Sequence, residues 1–199
     1  MSTKLILIRH GETVWNAKKR YCGTNDIGLS KKGKIQAEKL RHRLKDEIVH
    51  RVYTSDRKRA VQTAKIIFNG SKVIEKIPDL REIHFGRFEG LTHKQILRKY
   101  AAVYKKWLSD PYKNHAPKGE KLIDFRKRVI SEFKAITRKN SGRSTAIVCH
   151  GGVISVFITH ILGKKDFWKH IPHSASITII EYKNRKLKIA LFNDTNHLN

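Results

Sequence analysis

The chain has only two cysteines in 199 residues, Cys22 and Cys149, and no CxxC pair. That excludes a disulfide framework and a cysteine-rich metal site, and it suits a reducing compartment. Long hydrophobic runs are missing too. The apolar stretch nearest the start, Leu5-Ile6-Leu7-Ile8, is too short for the core of a signal peptide, and nothing approaches membrane-spanning length. The expectation is a cytoplasmic protein with no membrane partner. There is no internal repeat, low-complexity tract or linker, so residues 1–199 read as one domain with a sizeable core.

Acidic residues are scarce. Lys and Arg number 43 against 17 Asp and Glu, a formal charge of +26. Nucleic acid is the obvious partner to weigh. The cations are scattered, however, from Lys18-Lys19-Arg20 through Arg57-Lys58-Arg59, Arg126-Lys127-Arg128 and Lys164-Lys165 to Arg185-Lys186. No basic tail, zinc knuckle or RNP-like aromatic pattern goes with them. They read as solvated helix faces, which disfavours nucleic acid and leaves attraction of small anionic substrates as the consequence. His42, His50, His84, His93, His115, His160, His170 and His173 show no HExxH or similar spacing, so neither a metal nor another cofactor is expected.

What the chain does have is two histidines, each placed directly after an apolar run. Leu5–Ile8 leads into Arg9-His10-Gly11-Glu12, and Thr145–Cys149 leads into His150-Gly151-Gly152. Continuous apolar runs of this length read as strands buried on both faces, and ligands bind at the C-terminal edge of parallel α/β sheets. Two histidines at two such edges can face one pocket.

The remainder alternates strand and helix. Ser30 opens a helix to about Leu44 with Ile35, Ala37, Leu40 and Leu44 on one side. Val52–Thr54 is a short strand, and Ser55 is the expected N-cap of a helix reaching about Phe68. A strand from Val73 to Ile77 stops at Pro78. Thr92 to Gln95 is a capping box opening a helix with Ile96, Leu97, Tyr100, Val103, Tyr104, Trp107 and Leu108 at helical spacing. A loop over 110–119 precedes a second long helix marked by Leu122, Phe125, Val129, Phe133 and Ile136. An apolar helix (153–162) and two strands (177–182, 187–192) follow His150. The segment from about 91 to 139 reads as a helical insertion beside the pocket.

With these motifs in place, the chain resembles the histidine phosphatase superfamily, the phosphoglycerate mutase-like fold. Arg9 to Asn16 is similar to the family's opening signature, continued by Arg20 to Asp26 and Leu29 to Gly33. Tyr53 to Ala64, Leu80 to Gly90 and Cys149 to Gly152 are similar to the next three. The resemblance implies an α/β three-layer sandwich with a mostly parallel central sheet flanked by helices. It also implies a metal-independent phosphomonoester hydrolase with a small phosphorylated substrate and a phosphohistidine intermediate.

In those roles His10 would be the nucleophile, Glu82 the proton donor and then the base for water, and His150 a further donor. Arg9 and Arg59 would fork onto phosphate oxygens, with Asn16 and Gly151 as further phosphate contacts and Cys22 and Gly23 as substrate contacts. Arg57 and Glu89 are nearby rivals to Arg59 and Glu82, and the motifs favour the latter pair. The stretch after Arg81 resembles the phosphatase form rather than the mutase form, and 107–120 resembles alpha-ribazole phosphatases and cofactor-independent phosphoserine phosphatases. A cofactor-dependent phosphoglycerate mutase is the alternative. From other classes, a nucleic-acid-associated protein or a silent phospho-ligand binder on this fold is kept. A homodimer is compatible with the chain.

Overall fold

The computed structural model describes residues 2–184 and 186–199; Arg185 of the basic pair named above lies outside them. Six strands form one sheet in the order β3-β2-β4-β1-β5-β6. These are β1 (Thr3–Arg9), β2 (Arg51–Thr54), β3 (Ile74–Lys76), β4 (Ser144–Cys149), β5 (Ile177–Lys183) and β6 (Lys186–Asp194). The pairs β1–β4, β4–β2 and β2–β3 are parallel, and β1–β5 and β5–β6 are antiparallel.

The uninterrupted apolar run of β1 has a direct cause. Leu5, Ile6, Leu7 and Ile8 are all fully buried, because successive side chains point to opposite faces and both faces are covered. Leu5 and Leu7 pack with helices α5 (Leu122–Lys139) and α6 (Gly151–Leu162). Ile6 and Ile8 pack with α2 (Lys31–Arg43) and α3 (Lys58–Phe68) on the other side. At about 1.5–3 kcal/mol for each fully buried aliphatic side chain, β1 anchors both layers. A short helix α1 (Val14–Ala17) follows the end of β1. Among the described residues, no helix is long and apolar enough to cross a membrane.

The structure departs from the sequence reading in four places. Ile35 is 60% exposed, and the buried positions of α2 are Gly33, Ala37 and Leu40. Ile35 is two residues from Ala37, about 200° around the helix, so it had to face solvent. Ser55 does not cap α3: its N-cap is Arg57, without a side-chain bond, and the Lys58 N–H donates instead to Asp26 Oδ1 at 2.7 Å. Helix α4 (His93–Ser109) has the expected capping box, but Tyr100 breaks it with φ −140° and ψ 33°, and Val103 is 40% exposed. Finally, the 91–139 segment divides in two. Helix α4 builds a separate small cluster with Phe88, Ile96, Tyr104 and Trp107, whereas α5 belongs to the main core against α6.

Candidate active site

Strand pairing explains how residues far apart in sequence meet. The parallel register sets Arg9 opposite Cys149, and the His10 N–H donates to the Cys149 carbonyl at 3.0 Å. His10 and His150 therefore leave adjacent strands at the same edge, their ring centroids 5.1 Å apart and their planes at 65°. Both are buried.

Their protonation follows from their partners. Nδ1 of His10 lies 2.7 Å from the Gly11 carbonyl, which can only accept, so Nδ1 carries the proton and Nε2 keeps a free lone pair. Burial, then Arg59 and Arg9, push the His10 pKa well below its ordinary value, so the ring is neutral. His150 is arranged oppositely. Arg59 Nε donates to His150 Nδ1 at 3.2 Å, so the neutral ring carries its proton on Nε2, 2.9 Å from Ser55 Oγ. Burial, with Arg59, His10 and Arg9, keeps this ring neutral as well. Both His150 nitrogens are spent inside the protein.

Arg59 is fully buried. Its remaining donors reach loop carbonyls, Asn25 at 2.9 Å and Gly23 at 2.8 Å, with Cys22 at 3.4 Å. Arg9 donates through Nη1 to the Pro172 carbonyl, while its buried Nε has no partner. Two guanidiniums thus converge on His10.

The two acidic residues in question take opposite shifts. Glu82 accepts from the Gly152 N–H and from the Ile83 N–H, each at 2.9 Å. Burial outweighs these bonds and the two arginines, and the Glu82 pKa is raised. Burial acts the same way on Glu89, but bonds from Asn25, Thr24, Gly23 and Phe85 outweigh it and the pKa is lowered. Glu89 is thus a loop fastener, holding the 23–25 turn whose carbonyls seat Arg59.

A cavity of about 140 Å³ opens onto this edge, lined by Arg9, Asn16, Cys22, Glu82 and Gly151 among others. Asn16 accepts from Thr13 through Oδ1, which leaves its amide NH2 as the donor at the wall. At Gly151 a side chain would meet Ile171 and Arg9 at 3.0 and 3.3 Å. Gly23 is absent from the cavity wall and acts through its backbone, donating to Glu89 and accepting from Arg59. Cys22 lines the cavity; its thiol lies 3.8 Å from the Asn25 carbonyl, and burial raises its pKa, so it is not a thiolate. Among the described residues, no group of three His, Cys, Asp or Glu side chains gathers as a metal site.

The family model for the histidine phosphatase superfamily (branch 1) matches residues 5–195. The chain belongs to the histidine phosphatase superfamily. Among its relatives, the metal-independent phosphoserine phosphatase of Arabidopsis thaliana is 33% identical over 201 residues, covering 98% of this chain and 83% of that one. The adenosylcobalamin/alpha-ribazole phosphatase of Salmonella typhimurium is 33% identical over 161 residues, 80% of this chain and 79% of that one. Of solved structures, Bacillus stearothermophilus YhfR superposes with a TM-score of 0.93 at 31% identity, covering 99% of this chain and 100% of that one.

Three residues have a part in this histidine phosphatase site that the sequence reading does not give them: Ser55, read as a helix cap; Gly152, read only as part of a motif; and Glu89, read as a rival to Glu82. Ser55 was legible in principle. It follows β2 directly, and β2 pairs in parallel with β4, so the edge argument that finds His150 also places Ser55 beside it. Gly152 carries a signal only in the structure, where a Cβ would lie 2.3 Å from Glu82 Oε1.

Proposed function

We propose that this chain is a metal-independent phosphatase that hydrolyses a small phosphomonoester through a phosphohistidine on His10. One observation carries the reading: a neutral histidine with its free lone pair on Nε2 is flanked by two guanidiniums, and the same two guanidiniums act on the Glu82 carboxyl, whose pKa is raised.

His10 Nε2 attacks phosphorus, the P–O bond to the leaving group breaks, and the Glu82 carboxyl gives its proton to the departing oxygen. Glu82, now a carboxylate, takes a proton from water. That water attacks phosphorus, the P–N bond breaks, and His10 returns to its neutral form as phosphate leaves. The Gly11 carbonyl holds the Nδ1 proton throughout. Arg9, the Asn16 amide and the Gly151 N–H at the start of α6 hold the equatorial oxygens, aided by the charge of Arg59 close behind. His150 is assigned a positioning role, keeping Arg59 aimed through Nδ1 and anchored itself on Ser55. Cys22 lines the wall without reacting. The names of the relatives add support for small phosphorylated metabolites, phosphoserine and alpha-ribazole phosphate being the two that those names suggest.

Phosphorus-32 labelling tests the proposal. Acid-quenched enzyme incubated with labelled substrate carries an acid-labile, base-stable label, His10→Ala carries none, and turnover survives excess EDTA. Undiminished turnover in His10→Ala removes the nucleophile, and loss restored by added Mg2+ or Zn2+ removes the metal-independent mechanism.

A further inference from the structure

The Glu82 carboxyl is held at its head, but the backbone that carries it has no regular structure of its own. Residues 81–85 lie between two short 3-10 turns, Pro78–Leu80 and Gly86–Phe88, and belong to neither helix nor strand. Among the described residues, no backbone N–H donates to the carbonyls of Asp79, Arg81 or Glu82. A side chain takes that place. Arg128 projects from the second turn of α5, and its Nη1 donates to the Asp79 carbonyl at 2.8 Å and to the Arg81 carbonyl at 2.9 Å. Its Nη2 donates to the Glu82 carbonyl at 3.2 Å and to Glu120 Oε2 at 3.0 Å, and its Nε donates to Glu120 Oε1 at 2.8 Å. Every N–H of the guanidinium is used. Glu120 also accepts from the His84 N–H at 3.3 Å, and its own N–H donates to the His84 carbonyl at 2.8 Å. The guanidinium lies 4.7 Å from the ring centroid of the fully buried Phe125, which ties it to the main core. A cation that reads in sequence as part of a solvated helix face is engaged on the segment around Glu82.

Resting on the phosphatase reading above, we infer that Arg128 and Glu120 form a clamp that positions Glu82 for its two proton transfers. Arg128 is not part of the cavity wall, so it acts through Glu82 rather than on the substrate. The clamp fixes the backbone from which Glu82 projects, and the Gly152 N–H fixes the carboxyl itself, so α5 and α6 hold the same residue at its two ends. Loosening the first end leaves backbone carbonyls unpaired and lets the acid drift, and a displacement of about 1 Å can cost about 100-fold in rate. Charge alone would predict something else. After burial, Arg59, His10 and Arg9, the Arg128 charge adds to the lowering of the His150 pKa. Lysine separates the two roles, because it keeps the charge and loses the planar fork.

The experiment is rapid quench with an alkyl phosphate and with p-nitrophenyl phosphate. Arg128→Lys should slow phosphohistidine formation from the alkyl ester by at least about 10-fold and leave formation from the aryl ester within about 2-fold. Glu120→Gln should follow in the same direction with a smaller loss. Added to Glu82→Gln, Arg128→Lys should cause no further loss with the alkyl ester, because a residue acting through Glu82 then has nothing to position. Equal losses with both esters, or losses that multiply in the double variant, overturn the inference, as does an Arg128→Lys enzyme that matches the unmodified one. Hydrogen exchange supplies a readout that needs no turnover. The amides of Ile83 and Gly152, protected by their bonds to Glu82, should exchange at least about 10-fold faster in Arg128→Lys and Glu120→Gln, while those of β1 do not change. That pattern with no phosphate released from any ester would uphold the clamp on Glu82 and remove the phosphatase reading. Unchanged exchange at both amides removes the clamp even where turnover falls. If Arg128→Lys does not fold, Glu120→Gln carries the ester comparison, the double variant and the exchange measurement.

Discussion

Glu82→Gln is the substitution whose outcome depends most directly on the geometry. The Glu82 carboxyl is held by two backbone N–H groups at 2.9 Å, and burial raises its pKa, which favours the protonated form that a general acid needs. Glutamine keeps one oxygen for one of those N–H groups, but sets its own NH2 against the other and has no acidic proton. General acid–base catalysis contributes roughly 100-fold to 10,000-fold. Phosphohistidine formation from an alkyl ester, whose alkoxide must be protonated, should therefore slow by at least about 100-fold, equivalent to about 2.7 kcal/mol of barrier. With p-nitrophenyl phosphate the leaving anion is stable and formation should change little. Hydrolysis of the intermediate should slow with both, because Glu82 also serves the attacking water. The assay is rapid quench with both esters, and the aryl ester should show a burst. Glu89→Gln is the informative comparison. Its carboxylate fastens the 23–25 turn under Arg59, so its loss should reduce turnover of both esters by a similar factor. A leaving-group-dependent loss in the Glu89 variant, with none in the Glu82 variant, would refute this reasoning.

Three further outcomes follow. Gly152→Ala puts a methyl 2.3 Å from the movable end of Glu82, so thermal stability should hold within a few degrees while alkyl-ester turnover falls at least about 10-fold, read by melting curve and released phosphate. Because the pKa values of His10 and His150 are lowered from 6.5, both rings should remain mostly neutral at pH 6.5, where an ordinary histidine is half charged. Nitrogen-15 spectra should show the Nδ1–H form for His10 and the Nε2–H form for His150, and half-protonated rings would contradict the burial argument. With 3-phosphoglycerate, any reaction should release inorganic phosphate without added 2,3-bisphosphoglycerate; bisphosphate-stimulated formation of 2-phosphoglycerate would instead indicate a mutase.

The parts of this site legible in the sequence are those fixed by period and edge. A strand buried on both faces needs an unbroken apolar run, and Leu5–Ile8 and Thr145–Cys149 show it, so His10 and His150 could be placed at one edge before any coordinates. Ile35 fits the apolar pattern only over a wide helical arc, and a single apolar residue on the solvent face costs little, so the pattern does not separate it from the buried positions. Ser55 misled for a different reason: a hydroxyl before a helix can cap it or serve a neighbour, and the choice depends on β2 lying beside β4. The contrast between Glu82 and Glu89 is invisible in sequence, since it depends on which backbone N–H groups surround each carboxylate and how many of them there are.

The pairing of β1 with β4 also bears on how activity is acquired. His10 reaches its place only when residues 3–9 dock against residues 144–149, closing a loop of roughly 140 residues, at an entropic cost of about 4 kcal/mol from the length-dependent part alone. Such a distant contact raises contact order and slows folding, and it gains nothing until the helices on both faces are ready to cover the strand. Partly assembled chains would therefore hold Arg59, Glu82 and His150 without a nucleophile. On refolding from denaturant, enzymatic activity should return with the slowest structural phase, making catalysis a direct report on closure of the central sheet.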